Sequence, residues 1–547
     1  MRPISWILAG LLLIAAGAWW VPSHVIPVQG RAVPMQSPCL LPDGHLDIAC
    51  TLPGGAHEDA DYRRIETEVH ATEAAALAQA ASGSLDPYQQ MVLLGRLELY
   101  DENLSPQHTM ACITCHVPET GFTSGVSLWN QTIVANPGVE VIANAPAGSP
   151  NYRIAPRKPQ SYAYATFAPV LQYNASQQDL RGGNFWDMRA TGNRLQSPAA
   201  EQAEGPPTNP VEMALPDPAC AVFRIAQGRY RGLFEKVWGA QSFAIRWPAD
   251  SEQVCSRPGP PPANDPQPLH LSAADRALAS QTYDHMALAI AANEASPETN
   301  KFSSKYDAWL QGQYQFTSAE QRGYELFRGK GKCNTCHLDG TANRAGALDR
   351  NEIADKAPVF TDFTAANLGL PKNLAMPYYR APHPNPWGFI ANPPGFSFVD
   401  LGVGGFLRSP GNGNSSTRAA ASRFDGRFQT PTLRDVDLRP YPAFVKAYMH
   451  NGYLKSLKEV VHFYNTRDVL PRCKGDHDPR ERTACWPAPE VPQNMDRTIG
   501  RLGLSDAEEN DIVAFLKTLS DGYLKPAASL VLPSQMARPL RAAARPR

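Results

Sequence analysis

The 547-residue sequence predicts a mainly α-helical fold with two similar domains, long irregular insertions and an N-terminal signal or membrane anchor. Three observations predict it. The pentapeptide CITCH at 112–116 recurs as CNTCH at 333–337, which indicates a diverged internal repeat. Helix-like runs stand near the start and the end of each repeat. The 51 Pro and 40 Gly interrupt the chain too often for a helical bundle, although 43% hydrophobic residues can still build cores.

The repeated pentapeptide is the C-x-x-C-H attachment signature of a c-type haem. Its two thiols add to the porphyrin vinyl groups, and the adjacent histidine reaches the iron as an axial ligand. The alternatives are a pair of redox thiols, or half of a zinc site, which needs a second Cys/His pair at its own spacing. We predict two covalently bound haem c groups in two cytochrome-c-like domains. The predicted attachment residues and iron ligands are Cys112, Cys115, His116, Cys333, Cys336 and His337.

Five segments show helical patterns. The last of them has Ser505 as N-cap and Glu508 three residues later, which is a capping box. Its residues Ile512, Phe515 and Leu516 form one apolar face. The predicted helices are Asp59–Ala81, Met91–Tyr100, Ser272–Glu294, Ser318–Arg328 and Ser505–Leu519.

These patterns divide the chain, whose length allows two or three domains. Stretches at 136–159 and 257–268 lack periodicity and are predicted to be insertions, and 339–426 is a long region rich in Gly, Asn and Pro. We predict a signal peptide or anchor over 1–22, an N-terminal extension over 23–85, a first cytochrome c domain over 86–300, a second over 301–524 and a disordered tail over 525–547.

The N-terminal apolar run from Ile4 to Val21 is about as long as a membrane-spanning helix. The small residues at 16–18 suit a cleaved signal, whereas the two Trp that follow suit a membrane interface. Either way we expect a periplasmic body, tethered to the inner membrane if the segment is retained. The net charge of −1 gives no electrostatic footprint for nucleic acid.

The six cysteines outside the two pentapeptides fall into three sequence-local pairs. In an oxidising compartment an even number of remaining cysteines indicates disulfides, although six cysteines allow fifteen pairings. The predicted disulfides are Cys39–Cys50, Cys220–Cys255 and Cys473–Cys485.

The stretch after the first pentapeptide lacks a second histidine ligand. No histidine follows His116 until His270. A haem that only carries electrons is usually closed by two strong axial ligands, whereas a reactive haem leaves one side open. We therefore predict that the first haem is open on its distal side.

Further motifs resemble the bacterial di-haem cytochrome c peroxidase family, in its MauG-like branch. The resemblance covers about residues 88–520. The motifs of the first repeat are LGRLELYDENLS (94–105), FWDMRA (185–190), EQA (201–203) and NPVEM (209–213). Those of the second are APVFTDFTAANLGLP (357–371), QTPTLRDV (429–436), YMHNG (448–452) and LKEVVHFYN (457–465).

The resemblance implies roles for three residues near the first haem. Glu212 falls on the family's distal acid/base, Gln202 on its distal amide and Trp186 on the aromatic between the haems. A carboxylate near the open face can move a proton between the two peroxide oxygens. Taken alone, the three residues suit a surface carboxylate, a polar helix face and a core aromatic. The chain departs from the family in FWDMR for FWDGR, and in a longer segment between Trp186 and Gln202.

For the second haem, the resemblance implies Tyr464 as sixth ligand, with Met449, His450 and His462 as rivals. A phenolate is a hard anionic donor that stabilises higher iron oxidation states. Many family members carry a switchable histidine in the loop after the first pentapeptide, where this chain has Pro-Asn-Tyr at 150–152. The resemblance therefore implies a site that needs no reductive activation.

Family members also bind calcium between the domains, largely through backbone oxygens. The matching stretch 445–447 is altered here, and Lys158 or Pro159 falls near the usual Asn. Calcium is therefore not expected in this protein.

Taken together, we predict a peroxidase that reduces hydrogen peroxide at the open haem of His116 and shares the oxidising equivalents with the second haem. Its electron donor would be a small cytochrome c or a cupredoxin. The alternatives are MauG-like oxidation of side chains on a partner protein, a non-catalytic di-haem electron carrier and a haem dioxygenase.

Overall fold

The computed structural model describes residues 60–132, 155–340, 358–384, 388–412, 415–475 and 478–524. Contacts divide the chain into Met1–Pro38 and Cys39–Arg547, and every described residue belongs to the second unit. Among the described helices, none is both long and apolar enough to span a membrane. The predictions for the apolar run at 4–21, for Cys39 and Cys50, for Pro-Asn-Tyr at 150–152 and for the tail lie outside the described residues.

The described residues are rich in helix and contain four short strands. The helices are α1 Ala60–Ala81, α2 Pro87–Leu99, α3 Cys112–Cys115, α4 Ser127–Thr132, α5 Pro198–Ala203, α6 Pro218–Gln227, α7 Arg231–Trp238, α8 Ser251–Cys255, α9 Ala273–Glu294, α10 Lys305–Leu310, α11 Ser318–Arg328, α12 Val403–Arg408, α13 Ser415–Ala419, α14 Leu457–Thr466 and α15 Asp506–Leu516. The strands form two antiparallel pairs, β1 Gln172–Asn174 with β2 Asp179–Arg181, and β3 Ala365–Ala366 with β4 Phe428–Gln429.

A close crossing of helices α2 and α9 organises the first hydrophobic core. A Cβ on Gly95 would overlap the carbonyl oxygen of Ala289, so only glycine lets the two backbones approach this closely. Leu94, Leu97 and Ile290 are buried around the crossing. Helix α1 contributes buried apolar residues to the same core, which therefore extends from residue 62 to residue 291.

A matching crossing of helices α11 and α15 organises the second core. A Cβ on Gly323 would overlap the carbonyl oxygen of Asp511. Beside this contact, the rings of Tyr324 and Phe515 stack with centroids 4.8 Å apart. The core extends from residue 306 to residue 519 and is rich in aromatic rings. The proposed domain boundary at 300/301 stays a prediction.

The structure confirms several local predictions. All five predicted helices are present, and the capping box of Ser505 with Glu508 is formed in both directions. The last helix ends at Leu516 and continues as one 3-10 turn, Lys517–Leu519. The disulfides Cys220–Cys255 and Cys473–Cys485 are formed. The described part of the Gly/Asn/Pro-rich region 339–426 contains α12, α13 and β3, and short apolar segments there pack in a small separate core.

Candidate haem sites

The first pentapeptide lies against a cavity of about 430 Å³. Helix α3 spans its two cysteines, so thiols three residues apart lie on the same side of one helical turn. Cys112 and Cys115 are both free and both line the cavity. Cys112 Sγ lies 3.9 Å from Met213 Sδ, which fixes it against the cavity wall. Two free thiols on one wall suit covalent attachment of a haem.

His116 has the geometry of an iron ligand. Its Nδ1 lies 3.1 Å from the carbonyl oxygen of Phe122 and donates to it. The ring of Tyr162 packs beside the imidazole, with centroids 5.3 Å apart. Burial lowers the pKa of His116 to about 4, so the imidazole is neutral at pH 7. A neutral imidazole that donates through Nδ1 keeps the Nε2 lone pair for a metal.

The structure brings the three predicted residues of the first site together. Glu212, Gln202 and Trp186 all line the cavity that also contains His116. Gln202 lies on the short helix α5, and Glu212 lies in a turn between α5 and α6. Their catalytic roles stay predictions at this point.

A side-chain amide fixes the Glu212 carboxylate. Asn209 Nδ2 donates to Glu212 Oε1 over 2.8 Å, and the Glu212 N–H donates to the Asn209 carbonyl oxygen over 2.9 Å. Burial raises the pKa of Glu212, whereas Arg189 and the Asn209 hydrogen bond lower it. A carboxyl group shifted towards neutrality can both take up and return a proton. Asn209 belongs to the NPVEM motif, but the sequence argument gave it no role.

A second carboxyl group in the first cavity was missed by sequence reasoning. Glu294, the last residue of α9, lines the cavity and is only 2% exposed. Burial raises its pKa to about 8, so it is mostly protonated at pH 7. The one available signal was an acidic residue that ends the apolar run AIAANE.

The second pentapeptide repeats this arrangement beside a smaller cavity of about 170 Å³. Cys333 and Cys336 are free and line it. His337 Nδ1 donates to the carbonyl oxygen of Phe360 over 3.0 Å. Burial lowers the pKa of His337, so this imidazole is also neutral. The histidine–carbonyl pair of the first site is thus repeated in the second.

Three of the four predicted candidates for the sixth ligand line the second cavity. They are Tyr464 on helix α14, Met449 and His450. The His450 ring stacks on Phe428 with centroids 3.5 Å apart. The choice between Tyr464 and Met449 stays a prediction.

The fourth candidate for the sixth ligand, His462, is bonded to other groups. Its Nδ1 lies 3.1 Å from Glu509 Oε1, and its Nε2 lies 3.1 Å from the carbonyl oxygen of Thr483. Both ring nitrogens are therefore bonded to other groups. The residue is also absent from the described lining of the cavity, because it faces another side of helix α14 than Tyr464.

Trp186 connects the two sites. Among the described residues it alone lines both cavities. Its indole Nε1–H donates to the carbonyl oxygen of Lys158 over 3.0 Å, and its own carbonyl accepts from the Gln429 N–H over 2.8 Å. Its ring centroid lies 6.4 Å from that of His450. An aromatic side chain fixed between two redox sites can relay an oxidising equivalent.

Both cavities fit a covalently attached haem. Each combines two free thiols with a buried neutral imidazole whose Nδ1 is already bonded. Zinc bound to either pentapeptide would need further cysteine or histidine ligands. The one described cluster of metal-ligating side chains, Cys473, Asp478 and Cys485, contains a disulfide and lies elsewhere. The fold and the sites define a c-type cytochrome with two haems.

Comparisons with known proteins narrow this class. Residues 89–315 match the family model described as di-haem cytochrome c peroxidase. The methylamine utilization protein MauG of Paracoccus denitrificans (strain Pd 1222) is 29% identical over 439 residues, covering 80% of this chain and 90% of that protein. The cytochrome-c peroxidase IdrP1 of Denitromonas iodatirespirans is 24% identical over 434 residues, covering 78% and 81%.

Among solved structures, the diheme peroxidase BthA from Burkholderia thailandensis E264 has a similar fold. It matches with a TM-score of 0.54 and 22% identity, covering 80% of this chain and 89% of that chain. Residues 89–315 therefore resemble the di-haem cytochrome c peroxidase family, and the likeness to MauG extends over 80% of this chain.

Proposed function

We propose that this protein reduces hydrogen peroxide at the first site and shares the oxidising equivalents with the second. The observation that carries the proposal is the pairing of Glu212 and Gln202 with His116 in one cavity, linked by Trp186 to another cavity. Bound haem c supplies an iron that can bind peroxide and accept or donate electrons. Complete reduction of one peroxide takes up two electrons and two protons and releases two water molecules.

Glu212 is the proton carrier in this proposal. Its carboxylate accepts the proton from the inner peroxide oxygen and delivers it to the outer oxygen as the O–O bond breaks. The hydrogen bond from Asn209 keeps one carboxylate oxygen in place, so that the other can face the peroxide. The Gln202 amide orients the peroxide. General acid–base assistance of this kind typically accelerates a reaction by about 10²–10⁴-fold.

In this proposal Trp186 carries the second oxidising equivalent between the sites, and Tyr464 helps to hold it at the second site. Trp186 offers a path between the sites because its ring contributes to both cavity walls. Tyr464 would act as the sixth ligand of the second haem, and an anionic oxygen donor would favour holding an oxidising equivalent there. Its place on the cavity wall supports this assignment, although Met449 shares that wall.

The second candidate function is oxidation of side chains on a partner protein. Tyr464 in the second cavity favours it, because a stored oxidising equivalent suits a slow protein substrate better than a fast electron donor. The relative MauG supports the same direction. In the first candidate, electrons come instead from a small cytochrome c or a cupredoxin. A plain electron carrier needs neither Glu212 nor a roomy first cavity.

We further infer two cytochrome-c-like domains that meet near residue 300, and a periplasmic location. Two separate hydrophobic cores, at 62–291 and 306–519, support the division. Two disulfides support an oxidising compartment. The apolar run at 4–21 would direct export and either leave as a signal peptide or remain as an inner-membrane anchor.

The decisive experiment uses the air-oxidised, haem-loaded protein. One equivalent of hydrogen peroxide is added, and the haem and near-infrared spectra are followed in the wild type and in Tyr464→Phe. We expect a prompt reaction without pre-reduction, and a long-lived spectral state that Tyr464→Phe abolishes. Met449→Leu is the matched control and should keep that state.

The other outcomes are equally informative. A reaction that occurs only after half-reduction contradicts the open first site and indicates an ordinary donor-dependent peroxidase. Loss of the long-lived state in Met449→Leu, but not in Tyr464→Phe, contradicts the tyrosine ligand. Absence of any reaction in either redox state leaves the electron carrier as the function.

A further inference from the structure

A lysine ammonium group is buried among backbone carbonyl groups in the middle of the molecule. Lys446 is 4% exposed. Its Nζ donates to the carbonyl oxygens of Thr120 over 2.8 Å, Asp435 over 3.0 Å and Leu438 over 3.0 Å. An ammonium group has three N–H donors, so each donor here has one acceptor. Three carbonyl oxygens around one positive charge resemble the ligand set of a cation site.

The three carbonyls come from the segments that carry the two haem sites. Thr120 follows the first pentapeptide by four residues, whereas Asp435 and Leu438 follow the strand β4, whose residues line the second cavity. The two segments approach closely, because a Cβ on Gly121 would lie 2.8 Å from the Asp435 Cβ. Lys446 therefore joins the two segments through one charge.

A second buried lysine stands at the same junction. Lys158 Nζ donates to Thr123 Oγ1 over 2.7 Å and to the Pro159 carbonyl over 3.0 Å. Its backbone N–H donates to the His450 carbonyl over 2.8 Å. Burial, and then the charge of Lys446, lowers the pKa of Lys158 to about 7. The junction thus holds two buried lysine side chains whose charges repel each other when both are protonated.

Calcium does not fit this junction. Calcium takes six to eight oxygen ligands, usually including carboxylates, at about 2.3–2.6 Å. The carbonyl of Val445, in the stretch that matches the family's calcium region, accepts a hydrogen bond from Asn130 Nδ2 over 2.9 Å. The carbonyl oxygens of Thr120 and Asp435 lie 2.8 Å and 3.0 Å from Lys446 Nζ, which suits hydrogen bonds from an ammonium group. A divalent ion would add its charge to the buried ammonium group of Lys446.

We propose that the ammonium group of Lys446 replaces a bridging metal ion, so that this protein joins its two haem-bearing segments without calcium. Burial lowers the pKa of Lys446 to about 7, while Asp435 and Asp437 raise it. The three carbonyl acceptors match the protonated form, because a neutral amine would turn a lone pair towards one of them. The proposal does not depend on the peroxidase activity, since it concerns what holds the segments together.

The test compares haem-loaded wild type, Lys446→Ala, Lys446→Met and the surface control Lys330→Ala, each with chelator, with calcium or with methylammonium. We expect the wild-type melting temperature to change by no more than about 1 °C on chelation or calcium addition. Lys446→Ala and Lys446→Met should each lose roughly 5 °C. Methylammonium should restore about half of the loss in Lys446→Ala, where the carbonyls and space remain, but none in Lys446→Met. Lys330→Ala, which removes an exposed contact to Glu508, should melt like the wild type.

Three results would overturn the proposal. The first is a wild type that loses stability or peroxide reactivity on chelation and recovers it with calcium. The second is a Lys446→Ala variant that melts like the wild type, which would show that the charge joins nothing. The third is a destabilised Lys446→Ala that methylammonium does not restore, which would assign the loss to packing alone. If neither Lys446 variant folds, the chelation result on the wild type decides.

Discussion

The two haem sites share a frame and differ in what lines their cavities. In both, a glycine lets an N-terminal helix cross a C-terminal helix closely, Gly95 in the first and Gly323 in the second. In both, the histidine after the cysteine pair donates Nδ1–H to a phenylalanine carbonyl, that of Phe122 or Phe360. The repeated frame therefore fixes attachment and the proximal ligand in the same way twice.

The cavities differ in size and in the side chains that complete them. The first, of about 430 Å³, receives the carboxyl groups of Glu212 and Glu294. The second, of about 170 Å³, receives Tyr464, Met449 and His450. One frame thus supports a larger cavity lined by Glu212 and Glu294 and a smaller cavity lined by three candidate ligands. The comparison teaches that a repeated frame can carry two different cavity linings.

The largest expected effect comes from removing one attachment pair at a time. Replacing Cys112 and Cys115 by Ala should leave one covalent haem and abolish the peroxide reaction, because the first site then lacks its cofactor. Replacing Cys333 and Cys336 should also leave one haem, but should keep an initial peroxide reaction. Covalent haem is counted by mass, and peroxide reactivity is followed by stopped-flow absorbance. Equal loss of reactivity in both would contradict the division of roles between the sites.

The next effect concerns the first cavity's proton carrier. Glu212→Gln should slow the peroxide reaction by about 10²–10⁴-fold, because the amide cannot transfer the proton. Glu490→Gln neutralises a carboxyl group that lines the second cavity and should change the rate less than about tenfold. Rates are measured by stopped flow at saturating haem content. A Glu212→Gln variant as fast as the wild type would remove this residue from the mechanism.

The shared frame can be tested by stability. Gly95→Ala and Gly323→Ala should each lower the free energy of unfolding by about 1–3 kcal/mol, because the added Cβ forces two helices apart. Gly232→Ala, on helix α7 with open space around it, should raise that energy by up to about 1 kcal/mol. Denaturant unfolding monitored by circular dichroism measures all three. A neutral Gly323→Ala beside a destabilising Gly95→Ala would show that the two crossings are not equivalent.

The smallest effect is a pH shift at the first site. Glu212 must be ionised to accept a proton, so the peroxide rate should fall as pH drops through its raised pKa. Arg189 lowers this pKa, and Arg189→Gln should therefore move the acid limb to higher pH. Arg231→Gln, at an exposed ion pair on helix α7, should leave the limb in place. If the acid limb of the rate profile moves to lower pH in Arg189→Gln, Arg189 does not lower the pKa of Glu212.

Local sequence patterns predict much of the fold, whereas the site residues that they do not predict depend on long-range contacts. The five helices follow from caps and periodicity, and the attachment residues follow from one pentapeptide. Asn209 and Glu294 belong to the first cavity because of tertiary packing that no local pattern encodes. The contact of Lys446 with Thr120 joins residues 326 apart in sequence. The stretch around Lys446 was recognised as altered, but the three carbonyls around its ammonium group needed the structure.

The backbone of Lys158 has a consequence for how the protein can change. Its N–H donates to the carbonyl of His450, and its C=O accepts from the indole of Trp186. Lys158 is therefore hydrogen-bonded to Trp186, which lines both cavities, and to His450, which lines the second cavity. Substitutions at Trp186 and His450 should be non-additive in a double-mutant cycle, since each shifts the support of the other. The substitutions that the protein tolerates at Trp186 should therefore depend on the residue present at position 450, and the reverse.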